Sequence, residues 1–433
     1  MTSDQPTVGP VTATMRGTTT TAEPRRPTWR DVLAKAAARR LSRGAPAGTI
    51  NVEGPYGGFV VGEGGQSVHV RVNHPGAYRR TLRRGSIGLA ETYIDGWWET
   101  DDLTGLIQIQ IRNLEGLLSR LDDLVAVVDR PWSALHRLRK PTKSTDRHNV
   151  RAHYDLPGEL FDVMLDESMM YSCAYFATPE TSLHDAQLAK LEMICEKLDL
   201  GPSDHLLEIG SGWGGLAIYA ARTRGCRVTT TTLSLEQRKV ALERIDQAGL
   251  ADRIEVLDRD YRDLEGTYSK LVSIEMIEAV DWRLHETFFR SCEGLLAPDG
   301  LMLIQAITIA DRSFARARFN RDFIKELIFP GGCLPSVTHM TDTLTRTTHL
   351  RVVGLEDIGA HYAATLRHWR ENFFERWGDV APDGYGVEFA RLWELYLCYC
   401  EAGFLERHVS DVQMLIAGPK WHDPVVPTPN AVR

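Results

Sequence analysis

The segment that most constrains this chain is Leu206-Leu207-Glu208-Ile209, followed at once by Gly210-Ser211-Gly212-Trp213-Gly214-Gly215. So short an apolar run reads as a buried strand, and glycines directly behind it read as a tight turn into a helix. Such a turn needs positive φ, and a backbone without Cβ lets a ligand approach the amides of the helix N-terminus. The pattern then repeats. A helical stretch through Tyr219, the run Arg227-Val228-Thr229-Thr230, a helix from Leu235, and apolar runs at 254–257, 271–274 and 301–309 alternate strand with helix. This predicts an α/β fold, a parallel sheet with helices on both faces.

The ligand class follows from companions of that turn. There is no Gly-Lys-Ser/Thr for a phosphate loop, and the third glycine falls one place early for a dinucleotide fingerprint, which disfavours nucleoside triphosphates and NAD. Thr231-Thr232-Leu233-Ser234-Leu235-Glu236-Gln237 closes the second strand, with Ser234 a natural N-cap and Gln237 completing a capping box. Asp260-Tyr261-Arg262-Asp263 follows the third strand, where a polar and aromatic pair can hold an adenine. Three segments at consecutive strand ends point to one crevice.

With 433 residues, 43% of them hydrophobic and 25% charged, the chain has material for more than one globular domain. Residues 1–28, rich in Thr, Pro and Gly, read as a disordered tail. Residues 29–138 read as a small α+β domain: a helical pattern at Val32, Leu33, Ala36 and Ala37, strands near 58–61 and 68–72, and helices again from 103 to 128. The polar, Pro-interrupted stretch 139–147 reads as a linker, and 148–433 as the catalytic unit. No apolar run reaches the roughly eighteen residues of a membrane span and the start lacks signal-peptide features, so a cytoplasmic protein is expected. Seven cysteines with no CxxC pair predict reduced thiols and no metal site.

Charge is unevenly spread: residues 1–150 carry +6 and the remainder −14. The clusters Arg39, Arg40 and Arg43, then Arg79, Arg80, Arg83 and Arg84, then Arg137, Arg139 and Lys140 suit anionic headgroups, at about 1 kcal/mol per residue near the surface. Solvated helix and loop faces are the plain alternative. Nothing in the chain calls for a nucleic-acid partner.

Longer motifs are more specific: His153-Tyr154-Asp155-Leu156, Met170-Tyr171-Ser172-Cys173-Ala174-Tyr175-Phe176, the 208–215 loop, Met276-Ile277-Glu278, Phe329-Pro330-Gly331-Gly332-Cys333-Leu334-Pro335-Ser336, and His361-Tyr362 with Leu366 and Trp369. On these, residues 149–418 resemble the cyclopropane-fatty-acid synthase family of S-adenosylmethionine methyltransferases. The resemblance implies a class I methyltransferase, Rossmann-like domain preceded by the small domain of phospholipid-modifying members, acting as a homo-oligomer on unsaturated phospholipid at the inner membrane face. It also implies cofactor contacts at Tyr171, Ser172, Glu208, Gly210, Ser211, Gly212, Trp213, Gly214, Thr232, Leu233, Ser234, Gln237, Tyr261 and Arg262.

The implied chemistry is methyl transfer to an alkene, which leaves a carbocation. Aromatic faces stabilise such a cation by about 2 kcal/mol or more when water is excluded, and Tyr154, Tyr171, Tyr175, Phe176 and Tyr362 are candidates for that wall. In the family a bicarbonate ion then removes a proton, held by cysteine, glutamate, histidine and tyrosine. The matching residues are Cys173, Glu278 and Tyr362, but Gln305 stands where the histidine would be, and Glu275 stands where cyclopropane synthases commonly have a small residue. An acid added and a cation lost both disfavour an anionic ligand. Glu275 is therefore expected to replace bicarbonate as general base, giving a methylene-branched chain of the 10-methylene type, the substrate of a separate flavin-dependent reductase. Cys400 matches a family cysteine proposed as catalytic; its apolar neighbours at helical spacing favour a buried structural thiol. The alternatives are a bicarbonate-using cyclopropane synthase, an amine N-methyltransferase sharing the Phe-Pro-Gly-Gly segment, and a non-catalytic lipid-binding protein.

Overall fold

A computed structural model describes residues 28–41, 47–54, 57–113, 158–319, 322–383 and 385–422. The tail, the 139–147 linker, Tyr154 and the His153 to Leu156 motif lie outside them.

The N-terminal unit begins with α1 (Trp29–Leu41), β1 (Thr49–Glu53), β2 (Phe59–Val61) and β3 (Ser67–Val72), followed by α2 (Gly76–Ile94), β4 (Trp98–Thr100) and α3 (Leu103–Arg112). Its sheet has the order β2-β1-β3-β4, with β1 and β3 parallel and the other pairs antiparallel. Strand β3 alternates buried and exposed residues, so Val68, Val70 and Val72 form the inner face against Leu106 and Ile109 of α3. Asp102 caps α3 by accepting the Gly105 amide at 2.7 Å. Helix α1 departs from expectation. The apolar Val32 and Leu33 that signalled it are exposed, and Asp31 and Ala34 are buried instead.

The second unit runs α4 (Gly158–Met164), α5 (Leu183–Lys197), β5 (His205–Ile209), α6 (Gly215–Arg224), β6 (Arg227–Thr231), α7 (Leu235–Gln247), β7 (Ile254–Leu257), β8 (Tyr268–Ile274), α8 (His285–Leu295), β9 (Leu296–Ile309), α9 (Asp311–Ala317), α10 (Val337–Thr347), β10 (Arg351–Asp357), α11 (Gly359–Val380), α12 (Val387–Leu405) and β11 (Val409–Ala417). The seven strands lie in the order β10-β11-β9-β8-β5-β6-β7. The expected parallel sheet is present from β7 to β9, but β11 is inserted antiparallel between β9 and β10, so the sheet is mixed. Val412, Met414 and Ile416 of β11 face one apolar layer with Met302 and Ile304, and Leu415 faces the other with Leu301 and Leu303.

The two units share a core through α12. Leu395, Cys398 and Ala402 of this helix pack into the N-terminal cluster, while Trp393, Tyr396 and Leu397 pack into the aromatic cluster of the second unit. Polar contacts reinforce the seam: the Arg391 guanidinium donates to the carbonyls of Tyr93 (2.6 Å) and Trp98 (2.9 Å), and Tyr93 donates its hydroxyl to Glu394 at 2.7 Å. Truncating Arg391 strands two buried carbonyls and removes a cation stacked over the Tyr93 ring. Arg391→Ala is expected to lower stability by about 2–4 kcal/mol, measured by urea unfolding.

Candidate active site

The glycine turn is built as the sequence requires. Gly210, Gly212 and Gly214 have φ of +99°, +47° and +85°, and Gly214 caps α6. The amides of Gly210 and Ser211 donate to the Thr231 carbonyl at 3.0 and 2.9 Å, and that of Thr232 donates to Leu257, which draws together the carboxyl ends of β5, β6 and β7. The three strand ends lie side by side, the place where a doubly wound sheet of this kind takes its ligand. A Cβ at Gly212 would meet nothing within 4 Å, and the buried Glu208 leaves Oε2 without a hydrogen-bond partner. An open backbone cradle beside a buried carboxyl group with one oxygen unpaired fits a ligand that brings polar groups close to the backbone. Trp213 is buried against Phe161.

The second segment is modified from expectation. Ser234 accepts the Gln237 amide at 3.2 Å, but the Gln237 side chain accepts from the Thr232 hydroxyl at 2.9 Å instead of closing the capping box on Ser234. Leu233 is half-buried between them. In the third, Tyr261 sets its ring edge-on to Phe288, and Arg262 grips Asp260 through two bonds of 2.7 and 2.6 Å. Both are placed at the end of β7, with the Arg262 guanidinium tied to its own turn.

Beyond the end of β8 lies a buried polar cluster. Glu275 has φ of +47°, and its amide donates to the Gln305 carbonyl at 2.8 Å. Its Oε1 accepts from the Cys173 amide and from Gln305 Nε2, both at 2.8 Å, and its Oε2 accepts from the Tyr362 hydroxyl at 2.5 Å. Thus Glu275, Cys173, Tyr362 and Gln305, far apart in sequence, meet at one carboxylate. Glu278 is beside them: its Oε1 accepts the Ile307 amide at 2.5 Å, and its Oε2 has no partner.

Three members of this cluster escaped sequence analysis. Asp411 is fully buried and accepts the second Gln305 N–H at 2.9 Å. Lys190, also fully buried, donates to Ser172 Oγ at 2.7 Å, and Gln187, three residues earlier on α5, donates to the Ser172 carbonyl at 2.9 Å. The two clamp the segment that presents the Cys173 amide. Asp411 alternates with apolar residues along β11 and Lys190 lies on an amphipathic helix, patterns that read equally well as solvent faces.

Burial sets the charges. It raises Glu275, although Tyr362, the Cys173 amide and Lys190 oppose the rise, and it lifts Asp411 well above the carboxylate range with further pressure from Glu275 and Glu278. Glu275 receives three donors and Asp411 one, so the charge of the pair resides on Glu275 and the proton on Asp411. Burial brings Lys190 down to about 8 and drives Cys173 well up, leaving it a thiol. Burial pushes Cys400, on α12, up to about 12, which favours its thiol form.

Aromatic rings wall the cluster. Tyr171 stacks on Trp369 at 5.1 Å and shares a 2.8 Å hydrogen bond with Tyr396, and Tyr362 stacks on Phe404 at 4.4 Å. Tyr175 and Phe176 instead lie against His361 and His368 of α11.

Desolvation raises Glu208 and Glu278 each to about 8, so both bind protons more tightly folded than unfolded. The stability they contribute is complete below the ordinary carboxylate range and is lost as pH rises through about 8. The melting temperature of the ligand-free protein should therefore fall from pH 5 to pH 8, and Glu208→Gln should flatten that slope and melt higher at pH 8. An unchanged slope would contradict the assignment for Glu208.

Known proteins share this architecture. The chain matches the mycolic acid cyclopropane synthetase family over residues 141–414. It is 40% identical to the tuberculostearic acid methyltransferase UfaA1 of Mycobacterium tuberculosis over 79% of this chain and 81% of that one. It is 36% identical to the cyclopropane-fatty-acyl-phospholipid synthase of Escherichia coli over 82% and 89% respectively. Among solved structures, the mycolic acid cyclopropane synthase CmaA1 complexed with SAH and CTAB superposes with a TM-score of 0.57 at 29% identity, covering 64% of this chain and 99% of that one. Coclaurine N-methyltransferase, at 19% identity and a TM-score of 0.57, shares the fold. The chain belongs to the cyclopropane synthase family and is an S-adenosylmethionine-dependent enzyme.

Proposed function

We propose that this enzyme methylates the cis double bond of an unsaturated acyl chain on phospholipid and releases a methylene-branched, 10-methylene type product, with Glu275 as the base. The observation that carries this reading is the Glu275 carboxylate itself, fixed by Cys173, Gln305 and Tyr362 where a bicarbonate ion would otherwise be required.

The 208–214 turn, Tyr171, Ser172, Thr232 to Gln237 and the Tyr261–Arg262 turn hold S-adenosylmethionine, which when bound supplies an electrophilic methyl group. The chain's own residues do the rest. The rings of Tyr171, Trp369 and Tyr362 face the positive charge left on the acyl chain and exclude water. A 1,2-hydride shift moves the positive charge onto the carbon that bears the added methyl group. Glu275 then takes a proton from that methyl, and the electrons of the C–H bond form the exocyclic double bond to that carbon. Because a carbocation is a very strong acid, even a carboxylate stabilised by three donors suffices as acceptor. Glu278, neutral through burial, keeps a second negative charge away from the base. A bicarbonate-dependent cyclopropane synthase is the runner-up, since Cys173, Glu278 and Tyr362 match that ligand set. The amine N-methyltransferase reading has no use for the aromatic wall, and the non-catalytic lipid-binding reading none for an intact glycine turn.

The excess of positive charge over residues 1–150, +6, fits a role in seating the enzyme on anionic phospholipid at the inner membrane face. Among the described residues no helix is long and apolar enough to cross a membrane. A homo-oligomer and a flavin-dependent reductase acting on the product complete the proposal, the reductase because the methylene group is an alkene open to reduction.

Glu275→Gln is expected to cut turnover at least a hundredfold, with no rescue by bicarbonate. Full turnover without added bicarbonate would refute the assignment. Mass spectrometry of phospholipids from an oleate-fed host should show a gain of one CH2, about 14 Da, and uptake of hydrogen under olefin-selective reduction, which a cyclopropane resists.

A further inference from the structure

A row of polar side chains crosses the sheet beneath α5 and ends on Glu275. Glu356 of β10, Gln413 of β11 and Gln305 of β9 are successive cross-strand partners, and Gln305 pairs in turn with Ile274, the residue before Glu275. From the last residue of α5, Lys197 donates to Gln413 Oε1 at 2.6 Å and to Glu356 at 2.5 Å. Gln413 Nε2 donates to Gln305 Oε1 at 3.0 Å, and Gln305 Nε2 gives one N–H to Glu275 at 2.8 Å and the other to Asp411 at 2.9 Å.

An amide can be turned end for end with little change of shape, so its orientation must come from its partners. Here both ends of the row are unambiguous. An ammonium group only donates, which forces the Gln413 carbonyl toward Lys197 and its NH2 toward Gln305. The carboxylate at the other end only accepts, which demands the Gln305 NH2. The two requirements agree, and Gln305 and Gln413 are buried, so a reversed amide would leave buried polar atoms mispaired.

We propose that Gln413, polarised by Lys197, is a positioning residue for proton removal: it locks the Gln305 amide with its NH2 on Glu275, so that the base is held in one orientation. The inference rests on Glu275 being that base. A reversed Gln305 would set a carbonyl oxygen against the carboxylate and deprive it of one of three donors. The other ionisable groups facing Glu275 are Cys173, Lys190, Asp411, Glu278, Tyr362 and Tyr396, whereas the side-chain hydrogen bonds of Gln413 go to Lys197 and Gln305.

The test is the pH dependence of kcat for the full chain with S-adenosylmethionine and dioleoyl phosphatidylglycerol vesicles. Gln413→Leu should lower kcat about tenfold, leave KM for S-adenosylmethionine within about twofold, and move the acid-side midpoint up by about one pH unit. Lys197→Met should act in the same direction at about threefold, and Lys197→Arg, still donor-only, should recover the loss. Unchanged kcat in Gln413→Leu, or a lower kcat with an unmoved midpoint, would overturn the proposal. If Gln413→Leu does not fold, Lys197→Met decides by the same readings, since its side chain is 24% exposed. Glu275→Gln separates the two ideas. Turnover by that variant removes both, whereas an inactive Glu275→Gln beside a wild-type Gln413→Leu removes only the positioning role.

Discussion

At the end of β8 the chain adopts a left-handed backbone at Glu275, a conformation that suits glycine and costs another residue about 1 kcal/mol. It then buries a carboxylate there, which would cost several kcal/mol more if nothing met the charge. Hydrogen bonds to charged groups contribute about 1.5–3 kcal/mol each, and three converge on this one. Their sources are the loop before α5, β9 and α11, so the carboxylate can be satisfied only when sheet, loop and helix have all docked. The fold around the site follows from that requirement.

The same requirement explains why polar residues are threaded through an otherwise apolar sheet. Asp411 and Gln413 occupy the face of β11 toward α5, which sends Lys197 to Gln413 and Lys190 and Gln187 to the neighbouring Ser172. A central strand carrying buried carboxyl and amide groups is tolerable only if each is paired, and a half-paired network would be worse than an apolar one. The pairing is nearly complete. Among the described residues of the second unit, the buried carboxyl oxygens without a hydrogen-bond partner belong to Asp411, Glu278 and Glu208.

Much of this was legible in the sequence because some residues have few alternatives. The glycines of the 210–215 turn and the strand before it announced the crevice, and Glu275 with Gln305 stood out as departures from a family pattern before any geometry was known. The cluster that completes the site was not legible. Alternating polar and apolar residues in β11 describe a half-solvated strand as well as one covered by a polar helix, and nothing local separates the two. Helix α1 failed in the opposite sense: Val32 and Leu33 promised a buried stripe, yet Asp31 faces inward, where Thr28 and Arg79 satisfy it. Both failures share a cause, since the covering element is distant in sequence.

Helix α12 belongs to two cores at once, with Leu395, Cys398 and Ala402 on one side and Trp393, Tyr396 and Leu397 on the other. The boundary between the units in space therefore differs from the boundary along the chain. A hybrid made by exchanging the N-terminal unit between relatives at the connecting segment would bring a foreign surface against this helix. Natural exchange faces the same obstacle, so the N-terminal unit and α12 should be inherited as a matched pair, although nearly three hundred residues lie between them.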